Sequence, residues 1–181
     1  TTFKGKGLIG DQGARSNGGH PLGGGVLGRS GTPVASWFMN ESDLLVVLGA
    51  SFSNHTGITP KKPTIQVDHD RMHLGKFHSV DLPIWGDLGV TARSLLERMR
   101  GNHQSLDHTS EFAERWKIWR DEKTSRLGDD RSHGVSSAAV FETMNAVVPV
   151  DAILAVDVGN NTYSFGRYFE ASGAQSVLMS G

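Results

Sequence analysis

Residues 43–49 read Asp43-Leu44-Leu45-Val46-Val47-Leu48-Gly49. An unbroken apolar run closed by glycine suits a strand covered on both faces, as in a parallel sheet. Two further runs lie downstream. Thr64-Ile65-Gln66-Val67-Asp68 predicts a second strand, and Leu82-Pro83-Ile84-Trp85-Gly86-Asp87 a third. Pro83 has no N–H to donate, so the third strand is an edge strand or Pro83 lies at its start. Upstream, Thr32 can cap a helix that has Pro33 in its first position and Val34, Trp37 and Phe38 on one face. Downstream, Asp87 caps a helix over 87–100, with Leu88, Leu95, Leu96 and Met99 inward and Gly101 as its stop. Strand, turn and helix therefore alternate through residues 32–100. The fold class that follows is α/β, with a Rossmann-like parallel sheet.

Beyond residue 100 the pattern pauses and then resumes. Residues 101–109 are polar. Residues 111–127 predict a charged helix with Phe112, Trp116 and Trp119 on one side, and 128–134 a second polar break. Residues 135–148 predict an amphipathic helix, with Ala139, Val140, Phe141, Met144 and Val147 available for burial. A buried-type strand follows at 151–157, then the turn Val158-Gly159-Asn160-Asn161, a short aromatic helix over 162–169, and a strand at 176–179. This is the opening of a second α/β domain. The expected division is 1–100, a linker with its helix at 101–134, and an incomplete domain at 135–181.

Composition narrows the function classes. The chain has 181 residues, 37% of them hydrophobic and 20% charged, enough for a packed core. The net charge is −1 and there is no long basic run, so neither a nucleic acid nor an anionic membrane is an expected partner. There is no cysteine, which excludes disulfides, thiolate metal sites and a Cys nucleophile. No apolar run reaches membrane-spanning length. Eleven of the 23 glycines fall within the first 31 residues, where 10–25 read as a long polar loop. The start without Met and the finish on an apolar strand suggest a fragment.

Several residues could carry chemistry. The turn at 158–161 follows the carboxyl end of a parallel strand and opens a helix, the usual ligand position in open α/β sheets. Its free N–H groups suit a phosphate; an ordinary strand–helix turn fits the same letters. Gly28, Arg29 and Gly31 also run into a helix, where backbone donors at 30–33 and the Arg29 guanidinium could hold a diphosphate. A loop before a capped helix reads the same. Asp68 could bind ribose hydroxyls, while Asp70 could cap a short helix. His55, His69, His73 and His78 cluster, and His69 and His73 stand four apart, but no third ligand is spaced to match, so surface histidines are the expectation. Lys4 and Lys6 flank Gly5 at an anion-facing or solvated strand end.

Taken in order, the stretches TTFKGKG (1–7), HPLGGGVLGRSGT (20–32), SDLLVVLG (42–49), VDHD (67–70), IWGD (84–87), AVDVGNN (155–161) and SVLMSG (176–181) resemble one family. They are similar to the thiamine-diphosphate-dependent 2-oxo acid enzymes of the acetolactate synthase and pyruvate oxidase group. The resemblance implies that residues 1 to about 100 are a central domain lacking its opening strand and helix. It implies that 135–181 begin the diphosphate-binding domain. Val158, Gly159, Asn160 and Asn161 then match a turn that contacts the cofactor diphosphate. Also implied are thiamine diphosphate with Mg²⁺, a 2-oxo acid substrate such as pyruvate, and decarboxylation with carboligation or oxidation. A cytoplasmic homo-oligomer goes with these.

Two departures stand out. Acetolactate synthases usually carry Gln-His where this chain has Asn160-Asn161. They also carry Arg-Phe-Asp-Asp where it has Ala50-Ser51-Phe52-Ser53-Asn54. Some members hold FAD through stretches matching 28–31, 49–52 and 68–70, and the missing arginine and acids argue against FAD here. The family's activating glutamate belongs to another domain and its Gly-Asp-Gly…Asn stretch comes later, so these 181 residues alone are expected to be inactive. Two other readings stay open. One is an adenine-nucleotide or FAD module using Gly28, Arg29, Gly31, Ser51 and Asp68. The other is a non-binding structural domain of an oligomer, docking through exposed Trp116 and Trp119.

Overall fold

A computed structural model describes residues 1–14, 18–51, 53, 56–57, 61–101, 105–129 and 134–179. The chain packs as two compact units, Met39–Asp107 in one and Thr1–Phe38 with His108–Gly181 in the other.

The Met39–Asp107 unit is built on a parallel sheet. Its strands are β1 (Leu45–Leu48), β2 (Thr64–Asp68) and β3 (Leu82–Trp85), in that order across the sheet. Leu45 pairs with Thr64 and Ile65 with Leu82. The central strand is the most buried, with Thr64, Gln66, Val67 and Asp68 all inside. A buried amide needs partners, and Gln66 finds them in the neighbouring loops. Its Nε2 donates to the carbonyls of Ala50 (2.9 Å) and His73 (3.2 Å), and its Oε1 accepts from the Gly75 N–H (2.8 Å). The Asp81 carboxylate accepts from the Thr64 N–H at 2.8 Å, clipping β3 to the start of β2.

Helix α2 (Leu88–Met99) begins as expected, with Asp87 accepting from the Val90 N–H at 2.8 Å. Two burial expectations fail. β1 is covered on one face only: Val47 is buried, while Leu44, Val46 and Leu48 are exposed. It is an edge strand, and no described layer covers its second face. Leu95, Leu96 and Met99 of α2 are exposed too, because no described element packs along the far turns of the helix.

The larger unit contains most of α1 (Pro33–Glu41) together with α3 (Thr109–Ser125), α4 (Ser137–Val147), β4 (Ile153–Val156), α5 (Asn160–Tyr168) and β5 (Ser176–Met179). β4 and β5 pair in parallel, Ile153 against Ser176 through Val156 against Met179. Parallel neighbours need a crossover, and α5 provides it. Thr32 caps α1 as read, its Oγ1 accepting from the Ala35 N–H at 3.0 Å. The buried-type reading of β4 does not hold: Ile153 and Ala155 are exposed, and Leu154 and Val156 are half-buried against the Phe141 cluster.

Two aromatic clusters form the core of this unit. Phe141, Phe165, Phe169 and Ala171 make one, and Val34, Trp116 and Trp119 the other. Tyr168 borders both. Trp116 and Trp119 are only 1% and 3% exposed, so they offer no docking face. The Trp116 Nε1 donates to the Gly23 carbonyl at 2.8 Å, which pins the glycine-rich stretch to α3. Gly166 is required on α5. A Cβ there would lie 2.2 Å from the Ser30 carbonyl oxygen and 2.5 Å from the Phe3 ring.

Glu170, just past α5, receives Arg120 at 2.7 Å and Lys123, both from α3. Burial pushes its carboxyl upward, but the two cations outweigh burial and hold it below the usual carboxylate value. A depressed carboxylate stabilises the fold above its unfolded pKa, about 4.3. That contribution is lost as pH falls through the lower, folded value. Glu170→Gln is therefore expected to cost about 3–5 kcal/mol at pH 7 by leaving buried charge unpaired. It should also make stability less sensitive to acid below about pH 4.3. Urea unfolding of both chains across pH checks this; parallel pH curves would remove Glu170 from the account.

Candidate functional site

The turn between β4 and α5 is the best-formed candidate. β4 ends at Val156, and α5 starts at Asn160 with Gly159 as its N-cap. Gly159 has φ 132° and ψ −170°, a conformation essentially restricted to glycine. The turn is held from within. The Asp157 Oδ1 accepts from the Val158 N–H at 2.8 Å, the Gly159 carbonyl accepts from the Thr162 N–H at 3.1 Å, and the Thr162 hydroxyl donates to the Asp157 carbonyl. No side chain caps the helix. Its first N–H groups, on Asn160 and Asn161, have no intrahelical acceptor, as at any helix start.

Val158, Gly159, Asn160 and Asn161 are all exposed. A Cβ at Gly159 would meet nothing within 4 Å, so the space in front of the helix start is open. Free N–H groups, neutral amides and the positive end of a helix dipole suit a phosphate or diphosphate. The nearest carboxylate in sequence, Asp157, already accepts a backbone N–H. The residues present therefore fit a diphosphate group.

Gly28, Arg29 and Gly31 also stand together, in the same unit, but the loop offers fewer donors than its sequence suggests. The Gly31 N–H bonds to the Gly28 carbonyl at 2.9 Å, and the Thr32 N–H to the Val26 carbonyl at 2.9 Å. What the loop presents is acceptors. The carbonyls of Arg29 and Gly31 receive the Arg167 guanidinium at 3.3 and 3.4 Å. Arg126 and Arg167 both stand near this loop. Both lie far from it in sequence, at the ends of helices, where a lone arginine carries no signal.

Ser51 and Asp68 lie in the other compact unit. Asp68 is 1% exposed and accepts from the Asp70 N–H at 2.9 Å. The Nδ1 atoms of His69 and His73 each lie 3.4 Å from it. Asp70 caps the short 3₁₀ turn Arg71–His73 through the Met72 N–H at 2.9 Å. A spacing of four suits an α-helical ligand pair, whereas this stretch is a 3₁₀ turn with both rings beside the Asp68 carboxylate. Among the described residues no group of three or more His, Asp or Glu could hold a metal ion. His55, Phe52 and Asn54 lie outside the described residues. Lys6 is buried against Asp11, so it faces no external anion. Among the described residues no helix is long and apolar enough to cross a membrane.

Comparison with known proteins covers the whole chain. Residues 1–95 match the thiamine pyrophosphate enzyme central domain. The Bacillus subtilis protein YdaP, described as thiamine pyrophosphate-containing, is 28% identical over 183 residues, covering 99% of this chain and 30% of its own. The acetolactate synthase isozyme 3 large subunit of Escherichia coli is 27% identical, over 87% of this chain and 28% of its own. The sulfoacetaldehyde acetyltransferase of Rhodobacter capsulatus is 28% identical, over 91% and 32%. The chain thus spans about a third of the length of these curated relatives.

The turn can be tested without any ligand. Gly159→Ala adds a methyl group that touches nothing, so its whole cost is backbone strain, about 1–3 kcal/mol. The expected result is a lower urea midpoint with an unchanged m-value; an unchanged midpoint would mean the turn does not hold this conformation.

Proposed function

The chain belongs to the thiamine pyrophosphate enzyme family, and from that membership we propose that it is part of a longer enzyme acting on a 2-oxo acid such as pyruvate. The observation that carries this reading is the uncapped, exposed helix start at 159–161, standing at the carboxyl end of a parallel strand. Residues 1–100 would form most of the central domain, 101–134 the connection, and 135–181 the beginning of the diphosphate-binding domain. The names of the relatives, acetolactate synthase among them, support decarboxylation followed by transfer or ligation of the acyl unit.

In this arrangement the N–H groups of Asn160 and Asn161 would hold the cofactor diphosphate, and the missing side chain of Gly159 would leave room for it. The bound cofactor supplies the electron sink that decarboxylation of a 2-oxo acid requires. This chain's part is to bind and orient. Mg²⁺ would sit on the diphosphate with ligands drawn from outside these residues, since the turn itself offers neutral amides. The central domain has lost the arginine and acids that accompany FAD in the synthases, so FAD is not part of the proposal. A cytoplasmic homo-oligomer is the expected setting.

The test uses the turn. Asn160→Asp places a carboxylate beside the diphosphate, and a loss of about 1.4 kcal/mol in binding is a tenfold change. In the full-length enzyme the thiamine diphosphate concentration for half-maximal CO₂ release from pyruvate should rise at least tenfold by that arithmetic. An unchanged half-saturation would take the turn out of the cofactor site. The purified 181-residue chain, given thiamine diphosphate, Mg²⁺ and pyruvate, is expected to release no CO₂. Turnover by this chain alone would show that it holds the activating groups itself.

A further inference from the structure

The turn at 158–161 is exposed, and nothing comes within 4 Å of where a Cβ on Gly159 would stand. Packing from outside therefore does not set the backbone at that glycine. Bonds within the segment must do so, and two of them come from one residue, Thr162. Its N–H donates to the Gly159 carbonyl at 3.1 Å, and its hydroxyl donates to the Asp157 carbonyl. We infer that Thr162 is a positioning residue of the diphosphate turn: its hydroxyl occupies the Asp157 carbonyl and so keeps the N–H groups of Asn160 and Asn161 available to the ligand. This rests on the reading of that turn as the thiamine diphosphate site.

Donors compete for the Asp157 carbonyl. Asp157 lies three residues before Asn160 and four before Asn161. Those are the spacings at which a backbone carbonyl accepts from the N–H of a tight turn or of an α-helix. An N–H that turned back onto this carbonyl would be spent inside the chain. In the structure α5 instead begins at Asn160, with Gly159 as its N-cap, and the Thr162 side chain takes the carbonyl.

The residue type suits the task. Thr162 is the third residue of α5 and is half-buried. A side chain on a helix leans toward the N-terminus, so the hydroxyl reaches back over the turn to the strand end. Branching at Cβ restricts its rotamers, which lowers the entropy cost of holding the bond. Thr162 thus acts through the Asp157 and Gly159 carbonyls and not on the ligand itself.

Thr162→Val removes the hydroxyl and keeps the branched shape. Thr162→Ser keeps the hydroxyl and loses the methyl group. Two measurements read the result, and the first needs no cofactor. Amide exchange with solvent at Asn160 and Asn161, followed by NMR in the 181-residue protein, should slow in Thr162→Val, because the vacated carbonyl takes one of these donors. It should keep the parental rate in Thr162→Ser. The second is calorimetric binding of thiamine diphosphate, with Mg²⁺ present, to the full-length enzyme. Thr162→Val should weaken it about tenfold, the order of one hydrogen bond. Thr162→Ser should bind within about threefold of the parent. If Thr162→Val does not fold, Thr162→Ala lacks the same hydroxyl with less bulk and takes its place. Parental exchange or parental affinity in a folded Thr162→Val protein would overturn the inference. So would a Thr162→Ser protein that behaves like Thr162→Val, since side-chain shape would then be the cause. Asn160→Asp separates this role from the cofactor reading. If Asn160→Asp weakens binding and Thr162→Val does not, the positioning role falls and the site stands. If neither weakens it, the turn is not the cofactor site and both fall.

Discussion

The buried carboxylate of Asp11 ties together the two distant stretches of chain that make up the larger unit. Its Oδ2 accepts from the Lys6 Nζ at 3.1 Å and from the Ala171 N–H at 2.9 Å, and the Asp11 N–H donates back to the Ala171 carbonyl at 2.9 Å. The two charged side chains are 1% and 4% exposed. A pair so far from water gains little net stability over an apolar one, but losing one partner would strand the other. What it secures is register. With residues 6–11 fixed on residue 171, the Phe3 ring meets Phe165 at 6.2 Å, and α5 lies against the 28–31 loop. The exposed turn at 158–161 is the start of that same helix.

The second half of α5 is therefore held by close contacts. Gly166 fits against Ser30 and Phe3 with no room for a methyl group, Phe165 and Phe169 stack at 4.9 Å, and Asn145 brackets the following segment. The Asn145 amide donates to the Tyr168 carbonyl at 3.2 Å and accepts from the Glu170 N–H at 3.0 Å. The exposed, glycine-capped start of the helix thus projects from a rigid body. Backbone donors fixed on a packed scaffold need no reorganisation to meet an acceptor.

Local chemistry was legible in the sequence, and long-range packing was not. Thr32, Asp70 and Asp87 announce helix starts because a cap is decided within four residues. The parallel strands were legible from their apolar runs. How deeply those runs are covered depends on neighbouring layers, so the expectation of two buried faces failed for Leu44–Leu48 and for Ile153. Trp116 and Trp119 read as a surface stripe because their helix is rich in charge; its long basic side chains instead lie over the rings, Arg120 over Trp116 at 4.9 Å and Arg126 over Trp119 at 5.6 Å. The turn at 158–161 was visible because one short stretch contains the whole device. The hollow that Arg126 and Arg167 share with the 28–36 stretch was not visible, because its parts come from three separated stretches, 28–36, 119–126 and 167.

The two margins of the three-stranded sheet are not equivalent. The Gly86 N–H bonds inward to the Asp68 carbonyl, and counting back along β3 turns Pro83 outward, so that margin lacks a donor where a neighbour would need one. On β1 the inward donors are Leu45 and Gly49, which bond to Pro63 and Val67, so the N–H groups of Val46 and Leu48 point away from the sheet. Among the described residues the β1 margin thus keeps its full set of outward donors, whereas the β3 margin lacks the one at Pro83.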